Sequence, residues 1–309
     1  MANPMTSAQF VRLLDKRLRE VSQNTIDELH DKESMIPKLY RTISSEGAFE
    51  EFYSVGALPD IPEFNGKLEY LSASPGYYIK IEPKEYAGAV MFERKLIDDK
   101  KYNVLDDRAG MLANSAHRVR EKFAARPLAY AFSAAFDFMT SEEGVSLCST
   151  AHLTKSGTSV ASGFSNSGTS ALSKTSVAAT RILMRKFRND ISERIVIEPD
   201  TLIVPDNLYD TALEIVGTDK GLYSAEGTVN VQKGRYSVIP YLRLDDYDTN
   251  NWYMVDSKLM KKFLVWIDRI KPEPHNTIDF ETFQIKHSVY TRFANGTLDW
   301  RFLYGQNVT

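Results

Sequence analysis

The chain has 309 residues, of which 43% are hydrophobic and 26% are charged. These proportions are ordinary for a folded soluble protein and exclude an intrinsically disordered chain. The formal net charge of -3 argues against a protein whose main task is to coat nucleic acid, because such proteins carry a basic excess. The length suffices for one large domain or two to three smaller ones.

The sequence offers neither a disulfide framework nor a membrane anchor. Its single cysteine, Cys148, excludes an internal disulfide and any multi-cysteine metal site. No apolar stretch approaches the ~20 residues that span a bilayer. The first ten residues, MANPMTSAQF, lack the basic region and apolar core of a secretory signal. We therefore expect a soluble intracellular product without a membrane partner.

Residues 1–45 predict an amphipathic helix followed by a shorter helical pattern. Apolar side chains recur at helical spacing behind a possible cap, Ser7, at Phe10, Leu13, Leu14, Leu18 and Val21. The shorter pattern consists of Ile36, Leu39, Tyr40 and Ile43. Two interpretations stay open at this point: a helix packed on its own domain, or an arm that finds its apolar partner on another subunit.

Residues 46–101 change character, with helix-breaking prolines and turn glycines throughout. Two alternating runs, 77–81 and 89–92, predict strands. The segment is rich in aromatic residues but too short to build a separate core. It is therefore either the edge of a larger sheet or a long hairpin that projects toward a partner.

A long helix is predicted over residues 104–126, with a length of roughly 35 Å at ~1.5 Å per residue. Its apolar positions step alternately by four and three, forming one narrow seam at Leu105, Ala109, Leu112, Ala116, Val119 and Phe123.

The ends of this helix carry their own signals. Asn103 can cap the amino terminus, with Asp106 and Asp107 in the first turn, where the helix dipole favours negative charge. Pro127 is expected to kink or end the helix before a second apolar run, 128–138.

Residues 140–172 contain a glycine- and serine-rich stretch that predicts a mobile loop. A helix is predicted from Ser173, with inward-facing residues Ala178, Ile182, Leu183 and Phe187 and with basic residues Arg185, Lys186 and Arg188 in its last turn.

The remaining sequence alternates strand and turn patterns around one short helix, 207–216. Strands are predicted at 195–197, 201–204, 237–244, 252–255, 263–267, 283–293 and 298–304. No segment repeats at a fixed period. The whole chain is therefore predicted to be α+β with mixed sheets.

The residue types of catalysis do not form a recognisable constellation. Cys148 and His152 could pair as a thiolate and its base, but no flanking signature or third orienting group supports this. A buried structural cysteine beside a loop is the preferred interpretation. The glycine-rich loop matches neither a phosphate-binding loop nor an esterase elbow. We predict no catalytic residues.

Metal and cofactor sites are likewise not predicted. Asp245, Asp246 and Asp248 cluster without the further ligands and turn glycine of a calcium loop, so a solvated turn is expected. The five histidines are scattered without metal-binding spacing, and His117 lies next to the seam of the long helix, where a structural partner is expected.

Several segments, in one order along the chain, resemble the major capsid protein of tailed bacteriophages, and most closely the Mu-like prophage major head subunit family. They are FYSVG at 52–56 with Leu58-Pro59, ERKLIDD at 93–99, LCSTAH at 147–152, SN at 165–166 with GTSALS at 168–173, TLIVP at 201–205, NWYMVD at 251–256, and DWR at 299–301 with YG at 304–305. The resemblance extends from about residue 50 to the end of the chain.

The resemblance implies the Hong Kong 97-type coat fold. Its parts would be an N-terminal arm, an extended hairpin loop, a peripheral domain with a spine helix, an axial domain, and return strands of the peripheral domain with a C-terminal segment. In this chain they would occupy, in that order, residues 1–45, 46–101, 102–169, 170–257 and 258–309.

The function that the resemblance implies is structural rather than enzymatic. Copies of the chain would form hexamers and pentamers of an icosahedral head, assembled in the host bacterial cytoplasm around non-specifically contacted double-stranded DNA. Scaffold, portal and decoration proteins would be further partners, and maturation would move the loop and arm as hinged elements. The alternatives are a phage tail or decoration protein, or a cysteine or serine hydrolase around Cys148 and His152.

Overall fold

The structure is a computed structural model that describes residues 7–134, 139–155, 163–217, 230–279, 281–282 and 284–308. Its helices are α1 (Ser7–Lys32), α2 (Ile36–Leu39), α3 (Lys95–Asp98), α4 (Tyr102–Ala129), α5 (Lys174–Met184), α6 (Tyr209–Gly217) and α7 (Ser257–Phe263). Its strands are β1 (Arg41–Ser44), β2 (Glu50–Val55), β3 (Pro75–Ile81), β4 (Lys84–Phe92), β5 (Met139–Ser141), β6 (Ser167–Gly168), β7 (Thr201–Val204), β8 (Ser237–Pro240), β9 (Trp252–Val255), β10 (Leu264–Ile278), β11 (Ile285–Thr297) and β12 (Leu303–Gln306). The mixed α+β prediction is confirmed.

The first sheet has the strand order β1-β10-β11-β4. Its centre is the long antiparallel pair β10 and β11, and β1 joins one edge in parallel. Burial alternates along the first half of β11, so one face of this sheet packs on the core. Helix α4 covers that face, where Tyr86, Phe123 and Phe293 bring their rings within 4.8–5.6 Å of one another.

Helix α4 confirms the predicted long helix but differs at both ends. It begins at Tyr102, so Asn103 lies inside the helix, and the N-cap residue Lys101 makes no side-chain capping bond. Asp106 instead forms an ion pair with Arg17 of α1. The local pattern placed the Asp106 carboxylate in the first turn of the helix, but its partner is a residue 89 positions away in sequence.

The predicted break at Pro127 is displaced by two residues. The helix continues through this proline and ends at Ala129. Proline lacks the N–H group that would bond to the Phe123 carbonyl four residues earlier. Asn295 Nδ2 donates to that carbonyl at 2.7 Å, so the helix loses no satisfied acceptor by continuing. The second apolar run forms a turn rather than a helix up to residue 134, and residues 135–138 lie outside the described part.

The N-terminal helix packs on its own chain over the side chains that the structure describes. Leu18 is buried in a cluster with Leu105 and Ala109 of α4. Just beyond α1, the buried carboxylate of Glu121 accepts hydrogen bonds from the Ser34 hydroxyl at 2.6 Å and the Met35 amide at 3.2 Å. The first of the two sequence interpretations is thus confirmed for residues 16–35.

The predicted helical pattern at 36–43 divides into two elements. Ile36 and Leu39 belong to the short helix α2 and are buried, as expected for its apolar face. Ile43 lies in β1, opposite Ile267 of β10, so its prediction as a helical residue was wrong. Pairing with a neighbouring strand overrides the weak local pattern here.

The second sheet has the order β6-β12-β9-β7-β8 and mixes parallel and antiparallel pairs. All residues of β7 and β9 are buried, and alternate residues face two different cores. Ile203 and Tyr253 face the core shared with the first sheet, whereas Leu202 and Met254 face the core that α5 and α6 cover. The continuous apolar runs at 201–204 and 252–255 reflect this burial on both faces.

Two predictions around this sheet were wrong. Ser173 caps α5 as expected, but the buried face consists of Val177, Thr180 and Met184, while Ile182 and Leu183 are exposed. Two of the apolar residues on which the predicted inward face of α5 was based are therefore exposed in the isolated chain. Residues 195–197 form no strand.

The glycine- and serine-rich stretch is only partly a loop. Within residues 163–172, β6 pairs with β12 and Phe164 and Asn166 are buried, whereas residues 169–171 are exposed. The prediction of a loop was therefore wrong for residues 167–168, and its mobility stays a prediction. Residues 156–162 lie outside the described part of the chain.

Candidate assembly surface

A hairpin projects from the body and carries the candidate functional surface. Its strands, β2 and β3, pair antiparallel, and residues 56–74 connect them. At its root β3 also pairs with β5, and Ile79 and Ile81 are buried in a core cluster with Val265 and Ala294. The root is therefore part of the body, whereas the distal part is not.

The stem of this hairpin is held by a small tyrosine–glutamate group. Tyr53 and Tyr78 are directly opposite each other, with ring centroids 5.1 Å apart. Glu51 accepts a hydrogen bond from each hydroxyl, at 2.9 Å from Tyr53 and 2.6 Å from Tyr78. The hydrogen bond to this carboxylate raises the pKa of Tyr78 to about 12. Such cross-strand pairs fix the register of the stem.

The hairpin exposes an unusual amount of apolar surface. Seven large apolar side chains are between 58% and 96% exposed, and we call them the loop apolar set: Tyr53, Val55, Leu58, Ile61, Phe64, Leu68 and Tyr70. Single exposed apolar residues are normal, but a set of this size on one projecting element marks an interaction surface.

The residue pair considered for catalysis is not arranged for it. The His152 ring has Glu143 Oε1 2.8 Å from Nδ1 and Asn166 Oδ1 3.0 Å from Nε2, and it stacks on Trp300 with ring centroids 4.2 Å apart. Both ring nitrogens are thus engaged by oxygens of Glu143 and Asn166. Neither is available to take a proton from Cys148.

Cys148 is a packing residue in this structure. Its side chain is buried, and a Cβ atom added at Gly305 would lie 2.6 Å from its sulfur. Asn166 holds the segment around it, since its amide nitrogen donates to the Leu147 carbonyl at 2.8 Å and its Oδ1 accepts from the Ser149 amide at 2.8 Å. The predicted burial of Cys148 is confirmed, and its purely structural role stays a prediction.

We expect Cys148 to be unreactive in the folded chain. Burial raises the pKa of its thiol, and the thiolate is the reactive form. A thiol reagent such as DTNB should modify the native protein at least about 100-fold more slowly than the urea-unfolded chain.

The same burial makes the stability of the folded chain depend on pH, and the direction of this dependence follows from the raised pKa of the thiol. Folding favours the protonated thiol, so its contribution to stability is complete below the ordinary pKa of 9.0 and declines as the pH rises above it. Rapid modification of the native protein at neutral pH would contradict a structural role and favour the hydrolase alternative.

The acidic cluster has structural partners. Asp245 accepts hydrogen bonds from the backbone amides of Asp206 at 2.8 Å and Asn207 at 3.3 Å, and so caps the turn that leads into α6. Asp248 accepts from the Asn250 amide at 2.8 Å within its own turn. The described residues contain no group of three or more His, Cys, Asp or Glu side chains placed to hold a metal ion.

Two histidines differ in their surroundings. His117 is half-buried on α4, and this burial lowers its pKa. His287 is fully buried in β11, with Ser22 Oγ 2.8 Å from its Nε2.

No helix within the described ranges is long and apolar enough to cross a membrane.

Sequence reasoning missed one feature of the hairpin, which lies at its base. We use this name for residues 54–57 and 74–77, where the two paired strands pass into the connecting segment. Asp190 contacts both sides of the hairpin base, and a cavity of about 620 Å³ lies beside it. No local signal could identify Asp190, because its partners are more than 100 residues away in sequence.

A family model with the description "Phage capsid protein" matches residues 77–305. These residues include most of β3, the whole of α4 and the second sheet as far as Gly305 of β12. The chain belongs to the phage capsid protein family. The comparison with curated proteins finds no match to the sequence.

Solved structures from phage particles share the fold of this capsid family member. The Microbacterium phage Oxtober96 chain superposes with a TM-score of 0.55 at 10% identity, covering 90% of this chain and 94% of the other. A chain of the bacteriophage PhiM1 mature capsid gives 0.56 at 11% identity, with 90% and 87% covered. The bacteriophage JBD30 capsid gives 0.53 at 15% identity, with 70% and 94% covered. The predicted Hong Kong 97-type fold is thereby confirmed, whereas the Mu-like subgroup stays a prediction.

Proposed function

We propose that this chain is the major head subunit of a tailed phage, and that it assembles with copies of itself into hexamers and pentamers of an icosahedral shell. The observation that carries the proposal is the loop apolar set. Tyr53 packs on Tyr78 of its own stem, but no member of the set belongs to a buried apolar cluster of the described chain. The cores around the first and second sheets and α4 form without these side chains. A neighbouring copy is the partner that a repeating shell supplies.

The proposed assembly uses repeated head-to-tail contacts. Such contacts close into rings when the rotation between copies fits, so one pair of surfaces can build both hexamers and pentamers. Specific association needs an interface of about 1,600 Å² in total. Seven large apolar side chains on one projecting element can supply much of the apolar part of such an interface.

We assign the parts of the subunit as the sequence proposed. Residues 1–45 would be the N-terminal arm, of which 16–35 pack on α4 of the same chain in the free subunit. Residues 46–101 would be the extended loop, 102–169 the peripheral domain with α4 as spine helix, 170–257 the axial domain, and 258–309 the return strands and C-terminal segment. Strands β10 and β11 support the last assignment, and β12 carries the chain back into the second sheet.

The other proposed partners follow from the role of a container. The net charge of -3 suits a shell that encloses double-stranded DNA without gripping particular sequences. Assembly in the host bacterial cytoplasm, with scaffold, portal and decoration proteins, belongs to the same proposal. The JBD30 capsid has been described with minor capsid protein trimers decorating it, in a chain that superposes here with a TM-score of 0.54.

We propose no enzymatic activity. The two ring nitrogens of His152 are engaged, and burial raises the pKa of the Cys148 thiol. A tail or decoration protein remains the competing structural role, because such a protein would also expose an apolar surface.

Electron microscopy of the expressed full chain, with and without the scaffold proteins of its own phage, tests the proposal. We expect closed icosahedral particles from both the wild type and Cys148→Ala. Tubes, or rings that never close under any of these conditions, would favour a tail protein. Binding only to preformed shells would favour a decoration protein. Loss of an assayable hydrolase activity in Cys148→Ala would favour the enzyme.

A further inference from the structure

The carboxylate of Asp190 accepts hydrogen bonds from both sides of the hairpin base. Asp190 Oδ1 accepts a hydrogen bond from the Ala57 amide at 2.8 Å, and Oδ2 accepts one from the Ser74 hydroxyl at 3.3 Å. Gly56, next to Ala57, donates its amide to the Ser74 carbonyl at 2.8 Å. The two sides are therefore bound to each other and to the same carboxylate.

Glycine at position 56 makes this close approach possible. A Cβ atom at Gly56 would lie 2.0 Å from Asp190 Oδ2 and 2.8 Å from the Ser74 carbonyl oxygen. Real Cβ atoms do not approach oxygen atoms so closely, so any larger residue would displace the carboxylate or the backbone. The requirement for glycine at this position comes from the contact and not from a turn.

Asp190 itself stands on a rigid turn of the body. The Asn189 side chain accepts hydrogen bonds from the amides of Ile191 at 3.2 Å and Glu193 at 2.8 Å. Ser192 completes the turn with a φ of 69°, the left-handed region. Arg301, near the C-terminus, donates Nε to the Arg188 carbonyl at 2.9 Å and so ties the turn to the strand region before β12.

The hairpin base has open space on one side. The cavity of about 620 Å³ is lined by base residues, including Gly56, and by Pro127, Tyr130 and Trp300 of the body. The hairpin is thus fixed at its root, where β3 pairs with β5, and again at Asp190. Between these two attachments its base borders a cavity rather than a packed core.

We propose that Asp190 is a latch that sets the direction of the extended hairpin in the free subunit, before any neighbour is present. A change in that direction requires the two hydrogen bonds to Asp190 to break, after which the hairpin can move over the cavity. The latch describes the isolated chain. Only its use, to present the loop apolar set to a neighbouring copy in one orientation, rests on the proposed function.

Hydrogen–deuterium exchange of the full-length, unassembled chain tests the latch without any need for particles. In the wild type, the amide of Ala57 should be protected relative to that of Asp60, which lies in the exposed loop. Asp190→Ala should accelerate exchange in peptides covering residues 55–58 by about tenfold or more, because a charge-assisted hydrogen bond is lost. Asp190→Asn keeps one acceptor oxygen, so its effect should be smaller.

Gly56→Ala perturbs the same contact from the hairpin side and should give the same acceleration. Asp60→Ala removes a carboxylate from the same loop without touching the latch, and Gly110→Ala adds a methyl group where nothing lies within 4 Å. Both controls should exchange as the wild type does. An unprotected Ala57 amide in the wild type would overturn the proposal, and so would unchanged exchange in folded Asp190→Ala or Gly56→Ala. Because particle formation is not measured, failure of the latch and failure of the capsid role are distinguishable.

Discussion

Replacing Asp268 by alanine should lower the free energy of unfolding by about 3–5 kcal/mol, because it leaves the guanidinium of Arg120 buried without a counter-charge. The two side chains form a double hydrogen bond, with Nη1 to Oδ1 at 2.8 Å and Nη2 to Oδ2 at 3.1 Å, and each side chain is 7% exposed. Trp266 Nε1 also donates to Asp268 Oδ1, at 2.9 Å. The substitution therefore leaves three donor nitrogens, two of Arg120 and one of Trp266, without their acceptor in the core that α4 shares with β10 and β11.

The measurement is the urea midpoint of the unassembled chain, followed by circular dichroism. The matched control is Glu28→Ala, which removes the acidic partner of the exposed pair with Lys32 on α1 and should leave the midpoint almost unchanged. The double variant Arg120→Met/Asp268→Leu should recover much of the loss, because it removes both charges together. A loss below about 1 kcal/mol for Asp268→Ala would show that water reaches Arg120 in the variant.

Periodicity along the sequence predicted the existence of α4, β7 and β9, but the burial of their residues only in part. The continuous apolar runs of β7 and β9 are buried on both faces. Of the predicted α4 seam only Leu105 and Ala109 are buried, and the buried face continues through Ala113, Ala124 and Leu128. The sites where prediction failed depend on distant partners. Asp106 looked like a first-turn residue of α4, but Arg17, 89 residues away, pairs with it.

The candidate surface was predicted in outline only. The prolines, glycines and aromatic residues of 46–101 left two interpretations open, the edge of a larger sheet or a projecting hairpin. The structure has both, a hairpin at 50–81 and β4 at the edge of the first sheet. Which apolar residues of the hairpin are exposed could not be predicted. Tyr53 and Ile79 are both typical strand residues, and only the pairing of β3 with β5 shows that Ile79 is buried while Tyr53 is exposed. Asp190 was invisible for the same reason: an aspartate in a polar turn has no local signature of a distant partner.

The exposed apolar side chains of α5 have a related explanation. In a subunit that associates with other copies, some apolar residues pack in its own core and others pack against a neighbour. Helical spacing in the sequence does not distinguish these two kinds of residue. Ile182 and Leu183 were predicted to face inward and instead lie outside, at 51% and 40% exposure. In a capsid protein, an apolar residue that is predicted to be buried but is exposed in the isolated chain indicates a candidate contact surface.

The triple substitution Ile61→Ser/Phe64→Ser/Leu68→Ser should abolish particle assembly while leaving the subunit folded. The three side chains are 88%, 70% and 73% exposed, so the isolated chain gains nothing from them and its thermal unfolding should not change. If each is buried against a neighbour, it contributes about 1.5–3 kcal/mol to that contact. Losing all three should weaken association by at least about 10³-fold.

Sedimentation velocity and electron microscopy across a range of subunit concentrations would measure this effect. The matched control, Glu63→Gln/Glu69→Gln, changes the charge of the same loop but keeps its apolar side chains, and it should still assemble. Ile36→Ser, at a buried position of α2, should do the opposite of the triple variant by lowering the stability of the subunit itself. Normal particles from the triple variant, at wild-type concentrations, would show that the loop apolar set faces solvent in the shell and that the subunits associate through other surfaces.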